Sequence, residues 1–326
     1  MKTINFGILG PGKISNRFAD AFQYVPQAKV YAIASRDAER SKTFAKTYNA
    51  EKAYSSYEDL LNDPAVDVVY IGTPHPFHYE QTLLCLKHHK PVLCEKPLAL
   101  NLKQVKEMVD TARATKTFLM EAMWSRFFPA IHKALELIKA GVIGEIKYLQ
   151  ADFGFAAPLD MNNRVYNMAL GGGAQLDVGI YPMYLALLVL GKPDGIKAYS
   201  HLASTGADAT TGALFYYKSG AIAHIFSSIV TESPREGHIM GTKGSIFLHP
   251  QWHKTQQLTL KLNSGEVTSF PFPHSGNGFE FQVEEVARCI TANQLECELM
   301  PLSMSLLMAE THDEIRRQGG IKYSVD

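Results

Sequence analysis

Hydrophobic residues in the first third of the chain fall in short unbroken runs, separated by stretches that read as helices. The runs cover residues 4–9, 30–34, 66–71, 91–94 and 118–122 and are read as strands. The intervening helices are expected over 14–24, 38–48, 56–62, 77–89 and 102–114, the first with Ile14, Phe18, Ala21 and Phe22 on one face. Strands and helices alternating at this spacing predict a parallel sheet with helices on both faces. After about residue 123 the pattern changes. A helix over 130–140 stops at Gly141, and a long strand opens at Gly144-Glu145-Ile146 and runs to Phe155. Three glycines, 171–173, precede an apolar helix over 175–190. From 195 to 272, strands follow one another across the turns Lys218-Ser219-Gly220, Thr242-Lys243-Gly244 and Asn263-Ser264-Gly265, which predicts a mostly antiparallel sheet. Helices over 279–292 and 302–318 complete the chain.

These patterns predict an α/β protein of two domains. The first, 1–122, is an N-terminal Rossmann domain with a parallel sheet. The second, 123–326, is a C-terminal α+β domain with a large, mostly antiparallel open sheet, for substrate binding and dimerisation. At 326 residues the chain exceeds what one ordinary core accommodates.

Composition changes the picture mainly by exclusion. Hydrophobic residues make up 46% and charged residues 20%, and 32 Lys+Arg balance 32 Asp+Glu. A neutral chain lacks the bulk attraction that draws proteins to nucleic acid or anionic lipid, so neither partner is expected. No signal region precedes the first strand, and the apolar run 185–190 is too short to span a bilayer. Four cysteines, Cys85, Cys94, Cys289 and Cys297, show no paired close spacing. They read as buried free thiols in a reducing cytoplasm. No metal is expected, because the pair His75 and His78 lacks a carboxylate or cysteine at ligand spacing.

Candidate chemistry begins at the first strand–helix junction, Gly7-Ile8-Leu9-Gly10-Pro11-Gly12-Lys13-Ile14-Ser15. Gly10 and Gly12 permit a tight turn and a close approach to a pyrophosphate. The helix start at Lys13 and Ile14 offers free N–H groups, and small Ser15 stands where the usual motif has its third glycine. A dinucleotide is the expected ligand. The second strand ends in Ser35 and Arg36, a hydroxyl and a guanidinium suited to a 2′-phosphate, with Asp37 about two places late for the ribose role. NADP(H) is therefore preferred and NAD(H) possible. Thr73, Pro74, His75 and His78 follow the third long strand and line the cofactor or pack the loop beside it. Lys96, in Glu95-Lys96-Pro97, lies at the carboxyl end of a strand, where open α/β sheets bind ligands. Glu95 is either a cofactor contact or an ion-pair partner.

Taken in order, the glycine turn, Thr73-Pro74, Glu95-Lys96-Pro97 and the run from Gly171 through Asp177 to Tyr181 resemble the glucose-fructose oxidoreductase, inositol dehydrogenase and rhizopine-catabolism (Gfo/Idh/MocA) family. The resemblance covers essentially the whole chain. Within the family, Met120 through Pro129 is similar to the branch of dimeric trans-dihydrodiol dehydrogenases and D-xylose dehydrogenases, which is NADP-linked. Many family members carry His where this chain has Tyr181. The departure makes inositol dehydrogenase activity the less expected one.

Asp177 and Tyr181, four apart on a predicted helix, project from one face. Oxidising an alcohol needs a base for the hydroxyl proton. A tyrosine with an ordinary pKa of about 10 becomes one when an ammonium stabilises its phenolate. Tyr181 is assigned as general acid/base, Lys96 as hydrogen-bond donor and tuner, and Asp177 as orienter of substrate or lysine. Trp124, Arg126, Phe153 and Trp252 are candidate substrate contacts, with core packing the competing role for Phe153 and Phe155, and ion pairing for Arg126 and Arg164. The function expected is NADP-dependent hydride transfer at a CH–OH group of an aldose, such as xylose or glucose, or of a trans-dihydrodiol. Two other readings share the fold: a non-catalytic NADP(H)-responsive regulator, against which Lys96 and Tyr181 speak, and an NAD-dependent redox glycosidase, against which Ser35-Arg36 speaks. A homodimer is expected through the apolar strands 209–217 and 221–229.

Overall fold

The structure, a computed structural model, describes residues 3–160 and 163–326. The chain forms two compact units, one of Met1–Trp124 with Ser275–Leu306, the other of Ser125–His274 with Leu307–Asp326.

In the first unit, β1 (Ile4–Leu9), α1 (Lys13–Asp20), β2 (Ala28–Ala34), α2 (Ala38–Tyr48), β3 (Lys52–Tyr54), α3 (Tyr57–Leu61), β4 (Val68–Ile71), α4 (His78–Lys87), β5 (Val92–Glu95), α5 (Leu102–Thr115) and β6 (Leu119–Ala122) follow in alternation. The strands make a six-stranded parallel sheet in the order β3-β2-β1-β4-β5-β6. Strand order reverses between β1 and β4, which opens a crevice at the carboxyl ends of those strands. The unbroken apolar runs are explained by burial on both faces: β4 and β5 are buried at every position. Phe6, Phe18, Phe22 and Tyr70 interlock beneath α1, with Phe18 and Tyr70 stacked at 3.8 Å. Helix starts are set by side-chain caps at Asp37, Ser56 and Asn101. The exposed three-residue β3 carries no apolar pattern, and the sequence did not reveal it.

The second unit is built on an eight-stranded sheet. Its elements are α6 (Pro129–Lys139), β7 (Ile146–Gly154), α7 (Ile180–Leu190), β8 (Gly195–Leu202), β9 (Asp208–Tyr216), β10 (Ile222–Ser228), β11 (Gly237–Gly241), β12 (Gly244–Leu248), β13 (Gln257–Leu262) and β14 (Val267–Pro271). The order β14-β13-β12-β11-β7-β10-β9-β8 places β7 centrally, with one meander on each side. All pairs are antiparallel except β7 with β10. The three predicted turns join β9 to β10, β11 to β12 and β13 to β14. α7 is apolar on all sides because it lies against β7 and β10 and is buried from Ile180 to Leu187. The helical segment Met168–Leu190 is long and apolar enough to cross a membrane by length and composition alone, but it is mostly buried in this fold.

α8 (Phe279–Thr291) and the start of α9 (Leu302–Gly319) correct the boundary drawn from the sequence, since residues 275–306 belong to the first unit. α8 packs on α1, β1 and β2. Phe279 meets Phe18 edge-on at 6.2 Å and stacks on Trp124 at 4.6 Å. Periodicity shows which face of a helix is apolar, and it does not show which sheet that face will cover.

The glycine run is held by a buried carboxyl. Asp208 accepts hydrogen bonds from Gln175 N–H at 2.8 Å and Thr211 Oγ1 at 2.7 Å, and a Cβ on Gly173 (φ +120°) would overlap its Oδ1. Burial pushes its pKa up to about 7, against hydrogen bonds that pull it down. Because the folded value is raised, the folded protein holds a proton that the unfolded chain releases at about pH 4. Stability from this group falls as pH rises between those values and is level above them. Asp208→Asn, which keeps an acceptor and removes the titration, is expected to flatten the dependence of unfolding free energy on pH between 4 and 7 in urea titrations. An unchanged slope would show that Asp208 is ionised throughout.

Candidate active site

The first unit supplies a cradle for an anion. Gly10 has φ +88°, and a Cβ there would stand 2.7 Å from Thr73 Cγ2, so glycine alone fits between the loops after β1 and β4. α1 starts at Lys13 with no side-chain cap on its first N–H groups, leaving them for a phosphate. Ser15 is buried, donates to Gly10 O at 2.6 Å and packs where a Cβ on Gly72 would collide, so it does the work of the third glycine.

At the tip of β2, Ser35 Oγ accepts from Asp37 N–H at 3.2 Å. The Asp37 carboxylate is committed to capping α2, accepting from the N–H groups of Glu39 and Arg40. Arg36 is exposed, with its guanidinium 5.7 Å from the Phe77 ring centroid. Arg40 donates to Pro11 O in the glycine loop at 3.1 Å. The sequence reading missed Arg40, because a helix-surface arginine carries no signal until the helix is placed beside the loop. The uncapped helix, the glycine without room for a side chain and two cations at the strand tip fit a dinucleotide.

Of the two roles expected for His78, the structure shows the packing of the loop. It is fully buried, with Nδ1 2.8 Å from Pro97 O and Nε2 2.8 Å from Thr73 O. It ties the loop after β4 to the loop after β5. A neutral imidazole can donate to only one of these carbonyls, and burial, with Lys96 nearby, pushes its pKa down. His75 is also buried, its ring 5.8 Å from that of His78. Thr73 Oγ1 bonds Gln81 at 2.7 Å, and Pro74 leads into the turn at His75–Phe77.

Lys96 is half-buried, follows β5 directly and precedes a cis peptide to Pro97. Both flanks of this loop are fixed by carboxyls. Glu95 is buried, accepts from Tyr70 Oη at 2.7 Å and from Lys96 N–H at 3.3 Å, and is an internal anchor for the loop. Burial raises its pKa, while Tyr70 and the Lys96 ammonium oppose the rise. Glu121, on the neighbouring β6, accepts from Leu98 N–H at 3.0 Å and is pushed up to about 7 by burial.

The second unit supplies the other candidate groups. The turn at 175–179 is a wide π-helical turn, so Asp177 precedes α7 proper and Tyr181 lies in its first turn. Asp177 pairs with Arg164 at 2.9 Å, which gives both residues a partner that sequence spacing did not suggest. Tyr181 is buried against two rings: Phe153, with centroids 5.5 Å apart, and His253, at 5.2 Å. Phe153 and His253 also stack, at 4.5 Å. Phe155, just past the end of β7, packs instead on Val165, Tyr166, Ala174 and Ile229.

The two tryptophans, both candidate substrate contacts, are buried. Trp252 is core, its indole N–H donating to Asp152 O at 2.9 Å, and the next residue, His253, is the one beside Tyr181. Gln251, at φ +61°, turns the chain at this point. Trp124 is buried in its stack on Phe279, and Arg126 is buried as well. Aromatic residues in a sequence do not reveal which of two neighbours the backbone will turn inward.

Comparison with known proteins places the chain in a family. The oxidoreductase family with an NAD-binding Rossmann fold (GFO/IDH/MocA) matches residues 4–123, and the GFO/IDH/MocA C-terminal domain matches residues 131–247. The chain is 39% identical over 336 residues to trans-1,2-dihydrobenzene-1,2-diol dehydrogenase of Danio rerio, covering 99% of each chain. It is 36% identical over 336 residues to the enzyme of that name from Homo sapiens, again over 99% of each. Among solved structures, a 3-ketoreductase from Actinomadura kijaniata in complex with NADP and TDP-benzene matches with a TM-score of 0.86, 25% identity and 98% coverage of each chain. A levoglucosan dehydrogenase with NADH and levoglucosan shares the fold with a TM-score of 0.89, 19% identity and 98% coverage of each chain. The chain belongs to the GFO/IDH/MocA oxidoreductase family and is an NAD(P)-dependent dehydrogenase or reductase.

Proposed function

We propose that the protein transfers hydride between NADP(H) and a secondary alcohol or carbonyl on a ring that carries a neighbouring hydroxyl, a trans-dihydrodiol first and an aldose such as xylose or glucose second. Full-length identity of 36–39% to proteins named trans-1,2-dihydrobenzene-1,2-diol dehydrogenase carries this reading. The sugar arm draws on the 3-ketoreductase, at 25% identity.

The nicotinamide, when bound, accepts or returns the hydride. The chain's own groups manage the proton. In oxidation, Tyr181 takes the hydroxyl proton of the substrate as its carbinol hydrogen leaves as hydride, and in reduction Tyr181 gives the proton back. The Lys96 ammonium donates a hydrogen bond to the reacting oxygen. Phe153 and His253 support the Tyr181 ring, and the Arg164–Asp177 pair stiffens the turn before it. The preference for NADP(H) is supported by Asp37, whose carboxylate is occupied at the α2 cap, and by Arg36 and Arg40, whose guanidinium groups flank the β2 tip and the glycine loop.

We also propose a homodimer through the second unit's sheet. Tyr216, Ile222 and Met240 are 47%, 41% and 38% exposed. With Tyr148 they are register neighbours across β9, β10, β7 and β11, so they form one continuous apolar row. The free cysteines suit a reducing compartment, and we place the protein in the cytoplasm.

Three outcomes are expected. Lys96→Met and Tyr181→Phe should each lower kcat at least roughly a hundredfold with trans-dihydrodiols and aldoses, with NADPH binding by fluorescence unchanged; full turnover in either variant would refute the acid/base assignment, and cofactor binding without turnover of any candidate in the unmodified protein would favour a regulatory role. Arg36→Ala combined with Arg40→Ala should raise KM for NADP(H) by roughly tenfold or more while leaving KM for NAD(H) little changed; equal effects on both would remove the 2′-phosphate role. Ile222→Glu should convert a dimer to a monomer in sedimentation velocity, whereas a wild-type monomer would exclude the proposed interface.

A further inference from the structure

Away from the nicotinamide-binding loops, folding gathers ligands that the sequence keeps apart. Glu285 and Cys289 are one helical turn apart on α8, and Cys297 lies in the loop between α8 and α9. Their ligand atoms all lie within 4.8 Å of one another, the one such group of three among the described residues. Glu285 Oε1 is 3.7 Å from Cys289 Sγ and 3.3 Å from Cys297 Sγ. A tetrahedral zinc ion with Zn–S near 2.3 Å and Zn–O near 2.1 Å requires S···O edges of about 3.5 Å. The two observed distances bracket that value, so a common ion needs only small side-chain adjustments.

A cation is already drawn to the cluster. Arg288 Nη2 donates to Glu285 Oε1 at 2.7 Å and approaches Cys289 Sγ at 3.6 Å, while Nε donates to Glu285 Oε2 at 2.9 Å. Both cysteines are buried, whereas the Arg288 side chain is 50% exposed. The guanidinium therefore closes the solvent side of the cluster, where Nη2 also donates to Gln294 Oε1 at 3.2 Å. Two thiolates and a carboxylate carry three negative charges, a divalent ion leaves one, and Arg288 neutralises that one from the periphery.

We propose that Glu285, Cys289 and Cys297 form a binding site for a thiophilic divalent cation, zinc by ligand chemistry, with water as the fourth ligand. Binding forms two metal–sulfur bonds and one metal–oxygen bond, releases the two thiol protons to solvent and involves no oxidation. The ion ties the last turns of α8 to the loop over 292–301. That loop pairs with the edge of the parallel sheet, since Leu119 N–H donates to Leu295 O at 3.2 Å, and the Glu296 carboxylate accepts from Leu302 N–H at 2.8 Å at the start of α9. The ion would thus hold a sheet edge and a helix start, a structural role separate from hydride transfer.

The test uses the full-length protein, reduced, stripped with a chelator and freed of both reagents. Cobalt(II) titration should give a thiolate-to-cobalt charge-transfer band that saturates at one ion per chain and is displaced by zinc(II). Zinc(II) should raise the melting temperature of the unmodified protein, and Cys297→Ser should lose both the band and the shift. Glu285→Gln, which keeps the side-chain shape, should bind cobalt(II) at least roughly tenfold more weakly, and it serves as the test if Cys297→Ser does not fold. Absence of the band, its persistence in Cys297→Ser, unchanged cobalt(II) affinity in Glu285→Gln, or only two free thiols in the denatured, never-reduced protein, marking a disulfide instead, would each overturn the proposal.

Discussion

The reversal of strand order between β1 and β4 is the constraint on which the first unit's chemistry depends. It brings the loops after these strands so close that Gly10 has no room for a Cβ beside Thr73, and it leaves the amino terminus of α1 uncapped above the gap. Everything that follows in the unit supports this crevice. β5 lies beside β4 and delivers Lys96 one strand away from the reversal, and β2 delivers Arg36 on the other side. The parallel arrangement makes this possible, because every strand then ends at the same edge of the sheet.

Loops at such an edge need polar anchors, and here the anchors are buried. Tyr70 holds Glu95, Glu121 holds the N–H of Leu98, and His78 spans the carbonyls of Thr73 and Pro97. Each brings a titratable group into a medium that disfavours its charge, which is why Glu95 and Glu121 are raised and His78 is lowered. Apolar residues would avoid this cost but would leave the backbone groups of the Lys96 loop without partners. Buried hydrogen bonds therefore set the position of the loop that carries Lys96.

Most of the fold was legible in the sequence because its strongest signals are local. Unbroken apolar runs marked the parallel strands, and the turn residues at 218–220, 242–244 and 263–265 marked the hairpins of the second sheet. What escaped was long-range. Nothing local shows that α8 returns to cover α1, that Asp208 lies under Gly173, or that Arg40 reaches Pro11. The same limit explains the tryptophans: Trp252 was a candidate substrate contact, yet the backbone turn at Gln251 buries it and brings His253 to Tyr181. The cysteines repeat the lesson, because Cys289 and Cys297 become neighbours only when the loop after α8 folds back.

The second unit treats charge and ring packing differently from the first. Buried Asp177 is matched by Arg164, whose guanidinium remains partly exposed so that solvent screens the pair from that side. Such a pair contributes little to stability, so its value lies in holding the wide turn over 175–179 in one geometry. That turn fixes the rotation at which α7 begins, and the rotation decides which residue of its first turn faces Phe153 and His253. Tyr181 occupies that place, and a one-residue slip would replace it with Ile180 or Pro182, neither of which carries a hydroxyl or an aromatic ring. The three-glycine run thus matters less for flexibility than for register. Gly172 fits against the backbone at Asn167 and Arg164, Gly173 fits against Asp208, and these contacts determine where the helix starts.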